Sequence, residues 1–209
     1  MEINEALRDI AKRFDMDADR LIAYAQEDTL PIGWSGGHEY LGSIWREEGR
    51  ILYALARELF PACVYEFGTN NGVSAAHISA AISANGEGSI FTSIDIEPEV
   101  GKAIPDELRK YVTMVTADAR TYEMQPCELV FEDASHTASL VEAIVKNIQN
   151  TPMQSDQRII IHHDVNHYIQ GRRVREGLAR AGIENYTAYN VGCASGPSTT
   201  GLAIWGMRA

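Results

Sequence analysis

Apolar positions in the first 60 residues recur at helical spacing. Ile3, Leu7, Ile10, Ala11 and Phe14 fall on one face, and Leu21, Ile22 and Tyr24 open a second, shorter helix. Residues 28–42, rich in glycine, interrupt this pattern and read as a loop. Ile44, Ile51, Leu52, Leu55, Ala56 and Leu59 then mark a longer helix that Pro61 ends. From Cys63 onward short apolar runs alternate with helical stretches, which is the pattern of βαβ units and a parallel sheet. The runs predict strands at 63–67, 89–94, 112–115, 128–131 and 158–162, with two more at 185–191 and 199–206. Helices are expected at 73–83, 97–110, 140–148 and 169–181. Residues 192–197 are turn-rich and leave no room for a crossover helix, so the last two strands should run antiparallel. The expected fold is α/β: a seven-strand, mostly parallel sheet with an antiparallel terminal hairpin, helices on both faces and a helical N-terminal extension. The extension would cover residues 1–60 and the sheet-bearing domain 61–209, as one folding unit. In such an open sheet, ligands bind beyond the carboxyl ends of the strands, where the strand order reverses.

Charge narrows the partners. With 18 Lys+Arg against 29 Asp+Glu, the formal net charge of −11 repels polyphosphate and anionic membrane surfaces, so a bulk nucleic-acid or membrane binder is disfavoured. Arg172, Arg173, Arg175 and Arg180 form one modest basic cluster, expected as the solvated face of a helix. The widely spaced Cys63, Cys127 and Cys193 support neither a disulfide framework nor a zinc knuckle. Together with an acidic start and no apolar run of membrane length, they point to a cytoplasmic protein. Apolar surface on the N-terminal helices suits a homodimer contact as well as a monomer's cap.

The strongest local signal is EFGTNNGVS at 66–74, where the first strand turns into its helix. Gly68 and Gly72 permit close backbone approach to a ligand, and the helix N-terminus that follows presents free N–H groups. The spacing is G-x-x-x-G rather than G-x-G-x-x-G, which argues against a pyrophosphate ligand. Asp95 lies at the end of the second strand, where a carboxylate can accept both hydroxyls of a ribose. Asp118 ends the third strand and Asp133 the fourth, so with Glu66 four consecutive strands offer a carboxylate at or near their ends.

EFGTNNGVS, SIDIEPE, TADAR, LVFEDASHT and IIIHHDV occur in the order and spacing of the class I S-adenosylmethionine-dependent methyltransferases, which the chain resembles from Cys63 to its end. The resemblance implies that Glu66 and Gly68 border the methionine moiety of the cofactor. The same turn contributes Thr69, Asn70, Gly72 and Ser74. It further implies that Asp95, with Ile96 beside it, binds the ribose, that Asp118 and Ala119 meet the adenine, and that Asp133 lines the methyl-transfer site. FEDASHT and HHDV look like small-molecule O-methyltransferases, many of which hold Mg²⁺ with acids after the fourth and fifth strands. Asp133 and Asp164 match two such metal positions. His163 stands where a second acid is often found, and Mg²⁺ prefers oxygen ligands, so the ion stays an open alternative.

A two-histidine, one-carboxylate site built from His162 and His163 is the other metal reading, but strand alternation sends those side chains to opposite faces. His136 or His163 is the candidate general base, working beside Asp133 and Asp164. The loop carrying Trp34, His38 and Tyr40 is the candidate lid and substrate surface, and the same aromatics would equally serve to pin the extension to the sheet. The expected function is methyl transfer from S-adenosylmethionine to a small-molecule hydroxyl. The alternatives are a nicotinamide-dependent oxidoreductase on a similar sheet and a non-catalytic module that binds S-adenosylmethionine.

Overall fold

Strands begin where apolar runs allow burial on both faces, and all five residues of β1 (Cys63–Phe67) are buried. A computed structural model describes residues 1–32, 43–86, 88–134, 136–153, 155–191 and 200–209 of the chain. The remaining strands are β2 (Ile90–Asp95), β3 (Thr113–Thr116), β4 (Leu129–Glu132), β5 (Gln157–His162), β6 (Thr187–Tyr189) and β7 (Leu202–Arg208). They form one seven-stranded sheet in the order β3-β2-β1-β4-β5-β7-β6. The first five strands are parallel, while β7 is antiparallel to both β5 and β6. The order reverses between β1 and β4, which is where a doubly wound sheet opens a crevice.

The helices are α1 (Ile3–Phe14), α2 (Ala18–Glu27), α3 (Arg46–Leu59), α4 (Val73–Asn85), α5 (Ala138–Asn150) and α6 (Gln170–Arg180). Alternation along the strands divides the core in two. Val64, Phe91, Leu129, Phe131, Ile159, Ile161 and Ile204 share one cluster with α1–α4. Tyr65, Phe67, Val130, Ile160 and Trp205 share the other with α5 and α6. The N-terminal helices therefore supply much of one layer, and Ala6, Leu7, Ile10, Leu21, Ile51, Leu52 and Leu55 are all fully buried. Arg172, Arg173, Arg175 and Arg180 lie on the exposed side of α6.

The expected helix at 97–110 does not form. That stretch is turns ending in a single 3₁₀ turn, Arg109–Tyr111. Gly101 sits at φ +74°, and the N–H groups of Gly101 and Ala103 are taken by the carbonyls of Asn70 and Asn71. Pro105 contributes no donor of its own, so the segment docks on the β1–α4 loop instead of closing a helical ladder. The last two strands also differ in extent from expectation: β6 keeps only three residues, and β7 begins later and runs to Arg208.

Candidate functional site

The crevice is shaped by a glycine. Gly68 follows β1 at φ +94°, and a Cβ there would stand 2.4 Å from the carbonyl oxygen of Asp133. Only glycine lets the loop after β1 pass so close to the loop after β4. Gly72 precedes α4 at φ +85°, where a Cβ would meet Gly101 Cα at 2.7 Å. Beyond these loops lies a cleft of about 350 Å³, walled by Gly68, Asn70, Ile94, Asp95, Ile96, Ala117, Asp118, Ala119, Asp133 and Leu140 among others. That volume falls in the range of small-molecule sites, roughly 300–1,000 Å³.

Of the residues expected at the cofactor, Gly68, Asn70, Asp95, Ile96, Asp118, Ala119 and Asp133 line the cleft. Glu66, Thr69, Gly72 and Ser74 stand behind its wall. Glu66 is fully buried inside β1 rather than at a strand mouth, and its carboxylate accepts from the hydroxyls of Ser74 and Ser93. Burial pushes its carboxyl up to about 8 against the relief those hydroxyls give. Thr69 Oγ1 lies 2.6 Å from Ser93 Oγ and joins the same network. Asp95 accepts from Asn70 N at 2.9 Å and from Glu97 N at 3.0 Å, which aims it across the cleft mouth while leaving lone pairs for a ligand. Asp118 is engaged by Arg120, whose Nε lies 2.9 Å and 3.0 Å from its two oxygens. The guanidinium holds that carboxyl down to about 2.

One end of the cleft meets a titratable cluster. Asp133 and His136 come from the β4–α5 loop, and His163 and Asp164 from the end of β5. One ligand atom from each lies within 4.8 Å of all the others. His163 Nδ1 is 3.0 Å from Asp133 Oδ1 and 3.6 Å from Asp164 Oδ1. His136 Nε2 is 3.2 Å from Asp133 Oδ1 and 3.5 Å from Asp164 Oδ2. Asp164 is buried at φ +59°, an unfavourable conformation for a residue with a Cβ, and its Oδ1 has no hydrogen-bond partner. Burial alone would depress the pKa of His163, but Asp133 and Glu48 outweigh it and raise it well above the ordinary value. His136 is raised in the same way, with Asp133 the main partner opposing burial. Burial pushes the Asp133 carboxyl up, but His163 and His136 outweigh it and hold it down to about 2, whereas burial raises Asp164.

The chain places His162 on the opposite face from His163, as alternation requires. His162 Nδ1 lies 2.9 Å from Glu132 Oε2, and its ring stacks on Trp205 with centroids 6.2 Å apart. The four residues expected to be catalytic, Asp133, His136, His163 and Asp164, are thus brought together, and His162 stands apart from them. One group went unforeseen. Glu48, on α3 and fully buried, lies 3.0 Å from His163 Nε2 and accepts from Thr200 Oγ1 at 2.9 Å and Gly201 N at 3.1 Å. Trp34, His38, Tyr40 and the 192–197 loop lie outside the described residues. The metal implied by the resemblance meets a donor set of two imidazoles and two carboxylates, which is not the oxygen shell Mg²⁺ prefers. Among the described residues, no helix is long and apolar enough to cross a membrane.

Residues 65–168 match a family model described as a methyltransferase domain. No curated protein compared with the chain matches it. Solved structures do. An O-methyltransferase from Bacillus cereus in complex with SAH has a TM-score of 0.61 at 13% identity, covering 91% of this chain and 90% of that one. The O-methyltransferase TomG from Streptomyces achromogenes, in complex with SAM, has a TM-score of 0.56 at 16% identity, covering 100% and 90%. The SAH-bound Podospora anserina methyltransferase PaMTH1 has a TM-score of 0.55 at 17% identity, covering 90% and 93%. The chain thus carries a methyltransferase domain across residues 65–168 and, over most of its length, the fold of these methyltransferases.

Proposed function

We propose that the protein binds S-adenosylmethionine in this cleft and transfers its methyl group to a hydroxyl of a small molecule. The observation that carries this reading is that Asp133 belongs both to the cleft wall and to the titratable cluster, so a nucleoside in the cleft would hold its sulfonium methyl beside groups that handle protons. The names of the Bacillus cereus and Streptomyces achromogenes neighbours, both O-methyltransferases, support a hydroxyl acceptor.

In the transfer, the acceptor oxygen attacks the methyl carbon, the carbon–sulfur bond breaks, and S-adenosylhomocysteine leaves as a neutral thioether. The hydroxyl proton must go to the protein. His163 is a poor receiver, because both ring nitrogens face carboxylates and its raised pKa favours the protonated form. Asp164 is better placed, because it is buried beside Asp133 at the end of the cleft and that burial raises its pKa toward the working range of a base. The remaining task is positioning: an in-line displacement at an already activated methyl gains most from orientation and water exclusion.

Calorimetry with S-adenosylmethionine, S-adenosylhomocysteine and NAD, followed by a screen of hydroxylated acceptors, tests the reading. Binding of the sulfur nucleosides with NAD silent, and turnover lost in Asp164→Asn with cofactor affinity kept, is the expected result. Methylation confined to amine acceptors, or full turnover by Asp164→Asn, would overturn it.

A further inference from the structure

We propose that Asp133, His136, His163 and Asp164 form a binding site for a first-row transition-metal dication and discriminate against Mg²⁺. The inference rests on the methyltransferase reading of the same cluster and adds the identity class of its ion.

Geometry comes first. One ligand atom from each of the four residues lies within 4.8 Å of the others, with Asp133 Oδ1 3.0 Å and 3.2 Å from the two imidazoles and the two oxygens of Asp164 3.5 Å and 3.6 Å from them. Ligands about 2.1 Å from an ion lie roughly 3.0–3.4 Å from each other in octahedral or tetrahedral arrangements, using ordinary metal–nitrogen and metal–oxygen distances. The second observation is independent of those spacings. Asp164 is 7% exposed, yet its Oδ1 has no hydrogen-bond partner and is turned toward His163. A buried carboxylate oxygen left in that condition is costly and calls for a cation.

The donors decide which cation. Two imidazoles with two carboxylates suit Mn²⁺, Fe²⁺, Co²⁺ or Zn²⁺, whereas Mg²⁺ wants oxygen alone. Glu48 supplies the outer support such a site needs. With Nε2–H of His163 donated to Glu48 at 3.0 Å, the Nδ1 lone pair is fixed toward the cluster. A carboxylate behind an imidazole is a common companion of histidine ligation and has no counterpart role for a magnesium site made of acids. One oxygen of Asp164 is enough for the ion, which leaves the other for the acceptor's proton. Such an ion, when bound, lowers the pKa of a hydroxyl it holds.

The test uses the full-length protein stripped with a chelator and titrated with Co²⁺, read by visible absorption, with Mg²⁺ as competitor. Expected is one equivalent of Co²⁺ with nitrogen–oxygen ligand-field bands, not displaced by a large excess of Mg²⁺. Glu48→Gln should weaken Co²⁺ by about 10–100-fold, and His136→Gln should alter the bands. His163→Glu, which rebuilds an oxygen-rich set, should shift preference toward Mg²⁺. Circular dichroism of each variant separates lost ligands from lost fold, and the wild-type competition stands whatever the variants do. Displacement of Co²⁺ by equimolar Mg²⁺, absence of any band, or bands unchanged in a folded His136→Gln would overturn the proposal. S-adenosylmethionine calorimetry on the same preparation separates the two readings: cofactor bound without Co²⁺ sinks the metal site alone, and neither bound sinks the reading beneath it.

Discussion

At the residue scale, Glu66 carries a pH dependence into the fold. Its carboxyl has an ordinary value of 4.5 and sits at about 8 in the folded chain, because burial disfavours the charge more than Ser74 and Ser93 relieve it. The folded state therefore holds a proton that the unfolded chain gives up. Stability from this group is fully present below the unfolded value and drains away as pH rises through about 8. Glu66→Gln keeps the shape and removes the titration, so the difference in urea midpoint between variant and parent should grow in the variant's favour across that window. Parallel curves would show Glu66 to be ionised in the native protein already. Asp95 supports a different expectation. If its oxygens take the ribose hydroxyls, Asp95→Ala should weaken S-adenosylmethionine by about 1.5–3 kcal/mol, the range for hydrogen bonds to a charged group. Calorimetric affinity unchanged from the parent would remove Asp95 from the cofactor site.

At the scale of elements, the cleft depends on how two loops pass each other. Gly68→Ala would drive a Cβ to 2.4 Å from the Asp133 carbonyl oxygen while holding φ +94°. The cost should be about 1–3 kcal/mol, and because the loops must part, cofactor affinity should fall along with the melting temperature. A loss of stability with affinity intact would mean the cleft is not where the cofactor binds. The same elements show what a sequence does and does not disclose. Strands announce themselves through apolar runs, and the opposite facing of His162 and His163 follows from the period of a strand. The segment 97–110 misleads because its apolar spacing is helical while its hydrogen bonds are long-range, made to Asn70 and Asn71. Glu48 is harder still. In the sequence it is an acid in the first turn of an amphipathic helix, three positions after Trp45, and its Oε2 does accept from Trp45 N at 2.8 Å as a cap would. The only visible hint that it does more is its place on the face occupied by Ile51, Leu52 and Leu55, and no local signal names His163 as its partner.

At the scale of the whole molecule, the N-terminal helices are structurally continuous with the site. The cluster they share with α4 and one face of the sheet is a single core, and Glu48 reaches from α3 to His163, Thr200 and Gly201. Next to Glu48, Gly49 packs against α4, where His77 is buried between Asp28 Oδ2 and the carbonyl of Ile32. A Cβ at Gly49 would come within 2.5 Å of the His77 ring, a fixed side chain with partners on both nitrogens. Gly49→Ala should therefore push α3 away from α4 at an overpacking cost of about 1–3 kcal/mol. The displacement acts on Glu48 and through it on His163, yet none of these residues lines the cleft beyond β1. The expected pattern is a lower melting temperature and slower methyl transfer, with S-adenosylmethionine affinity by calorimetry close to the parent. Were transfer unchanged at a temperature where the variant is fully folded, α3 would be a support for the sheet that leaves the chemistry alone. Were cofactor affinity to fall as well, the N-terminal layer would be coupled to the cleft itself and not only to the cluster at its end.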